Sequence, residues 1–302
     1  MMLDGVLFFP VTPFAADGAV DTGVLAEHLR RGLAAGPGGV FAACGTGEFH
    51  ALAPEEYQEV VATAVKETDH RVPVFAGCGG PLPTAIRLAR LAREAGADGL
   101  LLMPPYLVAG PPAGLVAYTK AVAAATELPL IVYQRGSVVF DPSSAVSVAA
   151  LPTVVGFKDG LGDLDRLGQI VAAVGRALPD KPFQFFNGMP TAEATVPAYR
   201  AIGVELYSSA AYCFAPEVSM AFYQALTSDD SATVRRLLAE FFYPLSQLRS
   251  QVPGYAVSLV KAGVGLRGLD AGGVRPPLVD PSPEHLAELS GILAVGLAAV
   301  GA

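Results

Sequence analysis

Lysine is rare in this 302-residue chain, and one of its five lysines stands at the end of an apolar run. Lys158 follows residues 154–157, whereas the others fall in amphipathic segments, a loop or the C-terminal part: Lys66, Lys120, Lys181 and Lys261. Burial disfavours the ammonium form and so produces a neutral amine, which can attack a ketone. A lysine that reaches solvent or pairs with a carboxylate would have the same position, so position alone leaves both interpretations open.

A tyrosine ends the apolar run that precedes the lysine run along the chain. Tyr133 closes residues 130–133, and strand alternation places it on the face of Ile131. If the two runs are adjacent parallel strands, the phenol lies within reach of Lys158 and can relay protons to an imine-forming carbonyl. An amphipathic aromatic residue that merely ends a strand is the alternative.

Neutral hydrogen-bonding groups follow several other runs. Gly45-Thr46-Gly47 offers backbone N–H groups and a hydroxyl, which suit a carboxylate. Asn187-Gly188 and Ser208-Ser209 follow the seventh and eighth runs, and such groups can orient a polyhydroxy acid. Each of these signals is weak alone, because turns and caps use the same residues.

The apolar runs predict the fold class. Eight short runs (5–9, 40–43, 72–76, 99–102, 130–133, 154–157, 183–186 and 204–207) alternate with amphipathic segments such as 84–95. Continuous apolar character indicates parallel strands that are covered on both faces. Eight such units predict an α/β fold, the (β/α)₈ TIM barrel, with its active site at the carboxyl ends of the strands. A doubly wound sheet is the alternative, but it usually carries a GxGxxG turn after an early strand, and none of the early runs here is followed by one.

From residue 229 onward the pattern is helical only. Segments at about 231–250, 253–264 and 283–299 predict a C-terminal α-helical subdomain packed on the barrel. We therefore expect a catalytic barrel domain over 1–228 and a helical subdomain over 229–302.

Composition and charge exclude several function classes. The chain is 52% hydrophobic and 16% charged, which excludes disorder, and its net charge of -8 argues against a nucleic-acid partner. We expect no membrane span, since no run of about 18 apolar residues is uninterrupted, and no signal peptide. Three spaced cysteines suggest reduced thiols and a cytoplasmic location. The four histidines show no metal-ligand spacing, so we expect them at the surface and predict no metal site.

Five short strings together resemble the dihydrodipicolinate synthase / N-acetylneuraminate lyase superfamily. The resemblance runs over essentially the whole chain, and its markers are Pro10-Val11-Thr12-Pro13-Phe14, Gly45-Thr46-Gly47-Glu48, Pro105-Tyr106, Val132-Tyr133 and Gly156-Phe157-Lys158-Asp159. The resemblance implies that Lys158 forms an imine with a 2-keto acid and that Tyr133 relays protons. It also implies that Gly45 and Thr46 bind the keto-acid carboxylate, that no cofactor is needed, and that the chain forms a homo-oligomer, a tetramer or dimer.

The chain departs from the synthases at three places. Gly45 stands where they carry a second threonine, and Leu107 stands where they carry a tyrosine that crosses a subunit interface. Their arginine for a second carboxylate is shifted here to Arg135. These departures weaken a role in lysine biosynthesis.

Longer strings resemble a branch of decarboxylating sugar-acid dehydratases. They comprise residues 156–163, 186–193, 207–210 and 274–278. The implied activity removes water and CO₂ from a six-carbon keto diacid and leaves 2,5-dioxopentanoate, with Asn187, Gly188, Ser208, Ser209 and Arg135 as further substrate-binding residues. A pyruvate-dependent aldolase or synthase acting on 2-keto-3-deoxy sugar acids is the first alternative. A non-catalytic metabolite-binding barrel is the second.

Overall fold

Eight parallel strands form a closed barrel in the order in which they occur along the chain. The computed structural model describes residues 2–103, 105 and 108–302. The strands are β1 Leu7–Phe8, β2 Gly39–Ala42, β3 Val74–Gly79, β4 Gly99–Met103, β5 Leu130–Gln134, β6 Val154–Asp159, β7 Gln184–Asn187 and β8 Leu206–Ser209. The barrel closes where β1 pairs with β8. The predicted (β/α)₈ fold is confirmed, and each predicted run overlaps one strand.

The helices cover the barrel and extend beyond it. They are α1 Thr22–Ala34, α2 Pro54–Thr68, α3 Leu82–Glu94, α4 Pro112–Ala123, α5 Pro142–Ala149, α6 Leu164–Ala177, α7 Val196–Ala201, α8 Pro216–Thr227, α9 Ser231–Leu237, α10 Tyr243–Arg249, α11 Tyr255–Leu266 and α12 Pro283–Val300. A π-helical turn, Leu238–Phe242, joins α9 to α10. In α3 the predicted apolar stripe, which includes Ala85, Leu88 and Ala92, is buried.

Alternate strand residues build two separate cores. One set of side chains fills the barrel interior, where the rings of Phe9, Phe41 and Phe75 stack at centroid distances of 4.5 and 5.0 Å. The other set, which includes Val132 and Phe157, packs against the helices. This layering explains why the strands are apolar on both faces.

A register shift in β6 changes one sequence prediction. Strand alternation predicts that Val154 shares the face of Lys158, but Val154 packs in the helix-side core and Val155 packs in the interior. Leu130 pairs with Val154 whereas Ile131 pairs with Gly156, so one extra residue is accommodated in β6. Such a bulge reverses the alternation before it, while Gly156 and Lys158 after it remain on one face.

The helices after α8 pack on the barrel helices and on one another. Helix α12 contacts α8, α10 and α11 and buries Leu289 and Leu293. By length and composition alone this helix is apolar enough to cross a membrane, with 18 residues and a mean hydropathy of 1.2. No other described helix meets that test. A packed helix of a globular fold also meets it, so α12 carries little weight as a membrane span.

Two minor predictions concern cysteine and histidine. All three cysteines are free and buried, as expected: Cys44, Cys78 and Cys213. The prediction that the histidines lie at the surface is wrong for His28, which is buried and accepts a hydrogen bond from the Val11 N–H. Burial lowers the pKa of His28 to about 4, so its imidazole is neutral and packs on the edge of Phe8.

Candidate active site

A cavity of about 510 Å³ opens at the carboxyl ends of the strands. Its wall is formed by residues that follow or end β2, β5, β6, β7 and β8 and by residues of the C-terminal helices. Of the sequence-predicted site residues, seven line it: Gly45, Thr46, Tyr133, Arg135, Lys158, Gly188 and Ser208. This position matches the active-site end of (β/α)₈ barrels.

Lys158 lies at the base of this cavity with its amine inside the barrel. The residue is 5% exposed, and its Nζ lies 4.1 Å from the centroid of the Phe9 ring and 4.9 Å from that of Tyr133. No carboxylate of a described residue forms an ion pair with it. Burial therefore lowers the pKa of Lys158 to about 7, helped by the positive charge of Arg135. The alternatives of a solvated or carboxylate-paired lysine do not describe this side chain.

Tyr133 is held directly beside the lysine. The two residues pair across β5 and β6, and the Tyr133 hydroxyl donates a hydrogen bond to the Gly188 carbonyl at 2.9 Å. A Cβ on Gly188 would lie 2.6 Å from Lys158 Cε and 2.8 Å from the tyrosine ring, so only glycine fits there. Burial raises the pKa of Tyr133 although Arg135 opposes the shift, so the phenol is protonated near neutral pH.

A buried carboxylate fixes the strand ends that carry these two residues. Asp159 pairs with Gln134 one position beyond the Tyr133–Lys158 pair and accepts a 2.6 Å hydrogen bond from Gln134 Nε2. It also accepts hydrogen bonds from the Tyr199 hydroxyl and the Gly162 N–H. Asp159 therefore points away from the cavity, as the alternation predicts, and stabilises the end of β6.

The turn after β2 lines the cavity and has unused backbone donors. Within the described part of the chain, the N–H groups of Gly45 and Thr46 make no hydrogen bond. The turn is held from behind, since the Thr12 hydroxyl donates to the Gly47 carbonyl at 2.7 Å and Glu48 adopts a left-handed φ of 54°. Two free N–H groups with the Thr46 hydroxyl form a site that suits a carboxylate.

A buried ion pair fixes this turn to the C-terminal helices. Lys261 of α11 donates to Glu48 at 2.9 Å, and the two side chains are 2% and 0% exposed. The Arg275 N–H donates to the second Glu48 oxygen at 2.9 Å, and its guanidinium pairs with Glu56. The sequence does not mark Glu48 and Lys261 as a pair, because residues 213 positions apart share no local pattern.

Arg135 lies beside the Gly45 turn. A Cβ built on Gly45 would lie 3.8 Å from Arg135 Nη1, so the guanidinium lies in contact distance of this turn. Arg135 also lies near enough to Tyr133 and Lys158 to lower the pKa of both. Arg135 thus lies next to the free N–H groups of the Gly45 turn.

Asn187 and Ser209 do not reach the cavity. The Asn187 amide donates to the Ala192 carbonyl and the Thr195 hydroxyl, and the Ser209 hydroxyl bonds Glu193 behind the barrel. Both follow an inward residue, Phe186 and Ser208 respectively, so alternation turns them outward. Their expected substrate contacts are not possible from these positions.

One charged residue of the cavity wall has no signature in the sequence. Arg249, the last residue of α10, lines the cavity and donates a 2.7 Å hydrogen bond to the Thr191 hydroxyl. No motif marks it. With Lys158 and Arg135 it makes the cavity basic, since no aspartate or glutamate among the described residues lines it.

Two further expectations concern the missing second tyrosine and the absence of a metal site. Tyr106 and Leu107, which bear on the missing second tyrosine, lie outside the described residues. No group of three or more potential metal ligands occurs among the residues that the structure describes.

The fold and site define a (β/α)₈ barrel that carries a buried lysine of lowered pKa beside a tyrosine, in the cavity at the carboxyl ends of its strands. The model of the dihydrodipicolinate synthetase family matches residues 2–295. The chain belongs to this family.

Relatives of known name and structure agree with that assignment. A protein of Streptomyces avermitilis named probable 5-dehydro-4-deoxyglucarate dehydratase 1 is 56% identical over 97% of this chain and 94% of its own. A protein of Paracidovorax citrulli with the same activity in its name is 42% identical over 97% and 95%. The crystal structure of dihydrodipicolinate synthase from Oceanobacillus iheyensis matches with a TM-score of 0.88 at 26% identity, covering 97% and 96%. A prophage protein of that family from E. coli K12, in complex with pyruvate, matches with a TM-score of 0.87 at 26% identity, covering 98% and 100%.

Proposed function

We propose that this protein is a lyase that converts 5-dehydro-4-deoxyglucarate to 2,5-dioxopentanoate, CO₂ and water through an imine on Lys158. The observation that carries the proposal is the buried Lys158 amine, with a pKa of about 7, beside Tyr133 in a basic cavity. The names of the relatives in Streptomyces supply the substrate.

The first step joins Lys158 to the ketone. The neutral amine adds to the ketone carbon, and loss of the resulting hydroxyl as water leaves a protonated imine. The Tyr133 hydroxyl is protonated and lies beside Lys158, so it can give a proton to the departing hydroxyl and later recover one. The keto-acid carboxylate would bind the Gly45 and Thr46 N–H groups, with Arg135 next to it.

The imine then supports both eliminations. Its positive charge acidifies the neighbouring CH₂, and loss of that proton gives an enamine that expels the β-hydroxyl as water. The carbon–carbon bond to the far carboxylate next breaks, and its electron pair moves along the conjugated chain to neutralise the iminium as CO₂ leaves. Protonation and hydrolysis free the product and return the Lys158 amine. Atoms balance, because one diacid gives one semialdehyde acid, one CO₂ and one water.

Electrostatics favour a doubly charged substrate inside a negatively charged protein. The net charge of -8 opposes long-range attraction of a dianion, but the cavity wall is basic. Recognition is therefore local, through Arg135 and backbone donors.

The assembly and location complete the proposal. We propose a cytoplasmic homo-oligomer, a tetramer or dimer, with a barrel domain over 1–228 and a helical subdomain over 229–302. Exposed apolar side chains on and near α12, Val279 and Val295, provide surface for such contacts. Sedimentation of the full chain tests it, and a purely monomeric species at micromolar concentration would refute it.

Turnover of 5-dehydro-4-deoxyglucarate tests the reaction. We expect release of CO₂ and of 2,5-dioxopentanoate in equal amounts, and loss of both in Lys158→Ala. Lys120→Ala is the matched control, since Lys120 is exposed on α4. Release of pyruvate and a three-carbon aldehyde acid would instead assign an aldolase, and absence of both turnover and imine formation would leave only a binding barrel.

A further inference from the structure

The cavity contains a second guanidinium for which the steps at Lys158 have no use. Arg249 comes from α10, outside the eight strand–helix units, and is half-buried with its only described hydrogen bond to an uncharged hydroxyl. It forms no ion pair with a described carboxylate. A partly desolvated guanidinium that lacks an anion favours a bound anion, because its five donors match a carboxylate.

Arg249 lies farther from Lys158 and Tyr133 than Arg135 does. The charge of Arg135 lowers the pKa of both Lys158 and Tyr133, whereas Arg249 contributes to neither shift. Arg249 contacts Thr191, which follows β7, and Arg135 lies against the Gly45 turn, which follows β2. The two arginines are therefore placed to contact different parts of one ligand in the same cavity.

Thr191 fixes the direction of the guanidinium. Thr191 adopts a left-handed φ of 49° and is buried, and its hydroxyl accepts the Arg249 Nη1 hydrogen bond at 2.7 Å. Only one of the five guanidinium donors is used in this contact, so the others remain for a ligand.

We propose that Arg249 binds the distal carboxylate, the one released as CO₂, and thereby selects six-carbon keto diacids over keto acids with an uncharged end. This inference rests on the proposed function for the identity of the diacid. Arg249 is a specificity residue and takes no part in forming the imine. By fixing the far carboxylate, it orients the carbon–carbon bond that must break relative to the conjugated chain on Lys158.

Two keto acids of equal length isolate this contact from turnover. 2-Oxoadipate has a carboxylate at its far end and 2-oxohexanoate has a methyl group, and neither carries a hydroxyl to eliminate. Each is titrated against the full-length protein, and the concentration that gives half-maximal borohydride trapping on Lys158 is measured. We expect the wild type to prefer 2-oxoadipate by roughly 10- to 100-fold, as for one charge-assisted contact.

Substitutions at three positions assign that preference. Arg249→Met should abolish it while leaving half-maximal trapping by 2-oxohexanoate and by pyruvate unchanged. Arg249→Lys should retain part of it, because the charge remains but the bidentate geometry is lost. Thr191→Val, which frees the guanidinium, should reduce the preference, and Arg235→Met, which removes an exposed charge from α9, should not.

The outcomes separate this inference from the proposed function. A wild type that does not prefer 2-oxoadipate, or an Arg249→Met protein that keeps the full preference, would overturn the role of Arg249. Loss of pyruvate trapping in folded Arg249→Met would also overturn it, since the residue would then act at the imine. If 5-dehydro-4-deoxyglucarate releases no CO₂ while the Arg249-dependent preference stands, the proposed reaction fails and the diacid site remains.

Discussion

The pH dependence of imine formation follows directly from the burial of Lys158. With a pKa of about 7, about half of the amine is neutral at pH 7, whereas a lysine at its usual value of 10.5 would be neutral in fewer than one molecule in a thousand. The neutral amine is the nucleophile. The rate of imine formation should therefore rise about tenfold per pH unit below the pKa and become constant above it.

Trapping with pyruvate measures this profile without the later steps. Pyruvate at saturating concentration is reduced onto the protein with cyanoborohydride between pH 5 and pH 9.5, and the modified fraction is followed by intact mass. The Arg135→Gln variant supplies an internal comparison. Because the Arg135 charge lowers the pKa of Lys158, its removal should shift the midpoint to higher pH.

The shape of the pH profile tests whether the pKa of Lys158 is lowered by burial and by Arg135. A rate that still increases tenfold per unit between pH 8 and pH 9.5 would mean that Lys158 titrates like a solvated lysine. An unchanged midpoint in Arg135→Gln would remove the guanidinium from the electrostatics of the site.

Three further predictions concern stability and turnover. Lys158→Met should stabilise the fold by on the order of 3–5 kcal/mol at pH 7, because the folded state no longer lowers the pKa of a buried amine. Between about pH 7 and pH 10.5 the unfolded chain binds more protons than the folded one, so the free energy of unfolding of the wild type should rise with pH. Urea unfolding should therefore show that the difference in free energy of unfolding between Lys158→Met and the wild type becomes smaller as the pH rises. A difference that stays constant with pH would contradict this. Tyr133→Phe should lower kcat by roughly 10²- to 10⁴-fold while pyruvate trapping persists, and an unaltered kcat would exclude the proton relay. Lys261→Met should destabilise the fold by about 3–5 kcal/mol, because it leaves Glu48 buried and unpaired. The double variant with Glu48→Gln should recover part of this loss. A Lys261→Met protein as stable as the wild type in thermal unfolding would refute the role of the ion pair.

The barrel can be predicted from the sequence because its strands are covered on both faces and are therefore apolar throughout. Each of the eight runs carries enough apolar residues to mark its strand, and Lys158 is conspicuous as the lysine that ends one of them. The bulge in β6 cannot be predicted from the sequence, because one extra residue does not change the pattern of an apolar run. The bulge reverses which of Val154 and Val155 faces the barrel interior.

The residues of the cavity wall can be predicted only in part from the sequence. Alternation, applied to the ends of β7 and β8, would have turned Asn187 and Ser209 outward, as it turns Asp159. Arg249 and Lys261 depend on how the C-terminal helices pack, and packing between distant segments has no local signature.

Peptide mapping of the reduced adduct tests the central claim most directly. The protein is incubated with 5-dehydro-4-deoxyglucarate and borohydride, digested, and the position of the added mass is determined. We expect one adduct, on Lys158, which disappears in Lys158→Ala and persists in Lys120→Ala. An adduct on any other lysine, or one that survives Lys158→Ala, would contradict it.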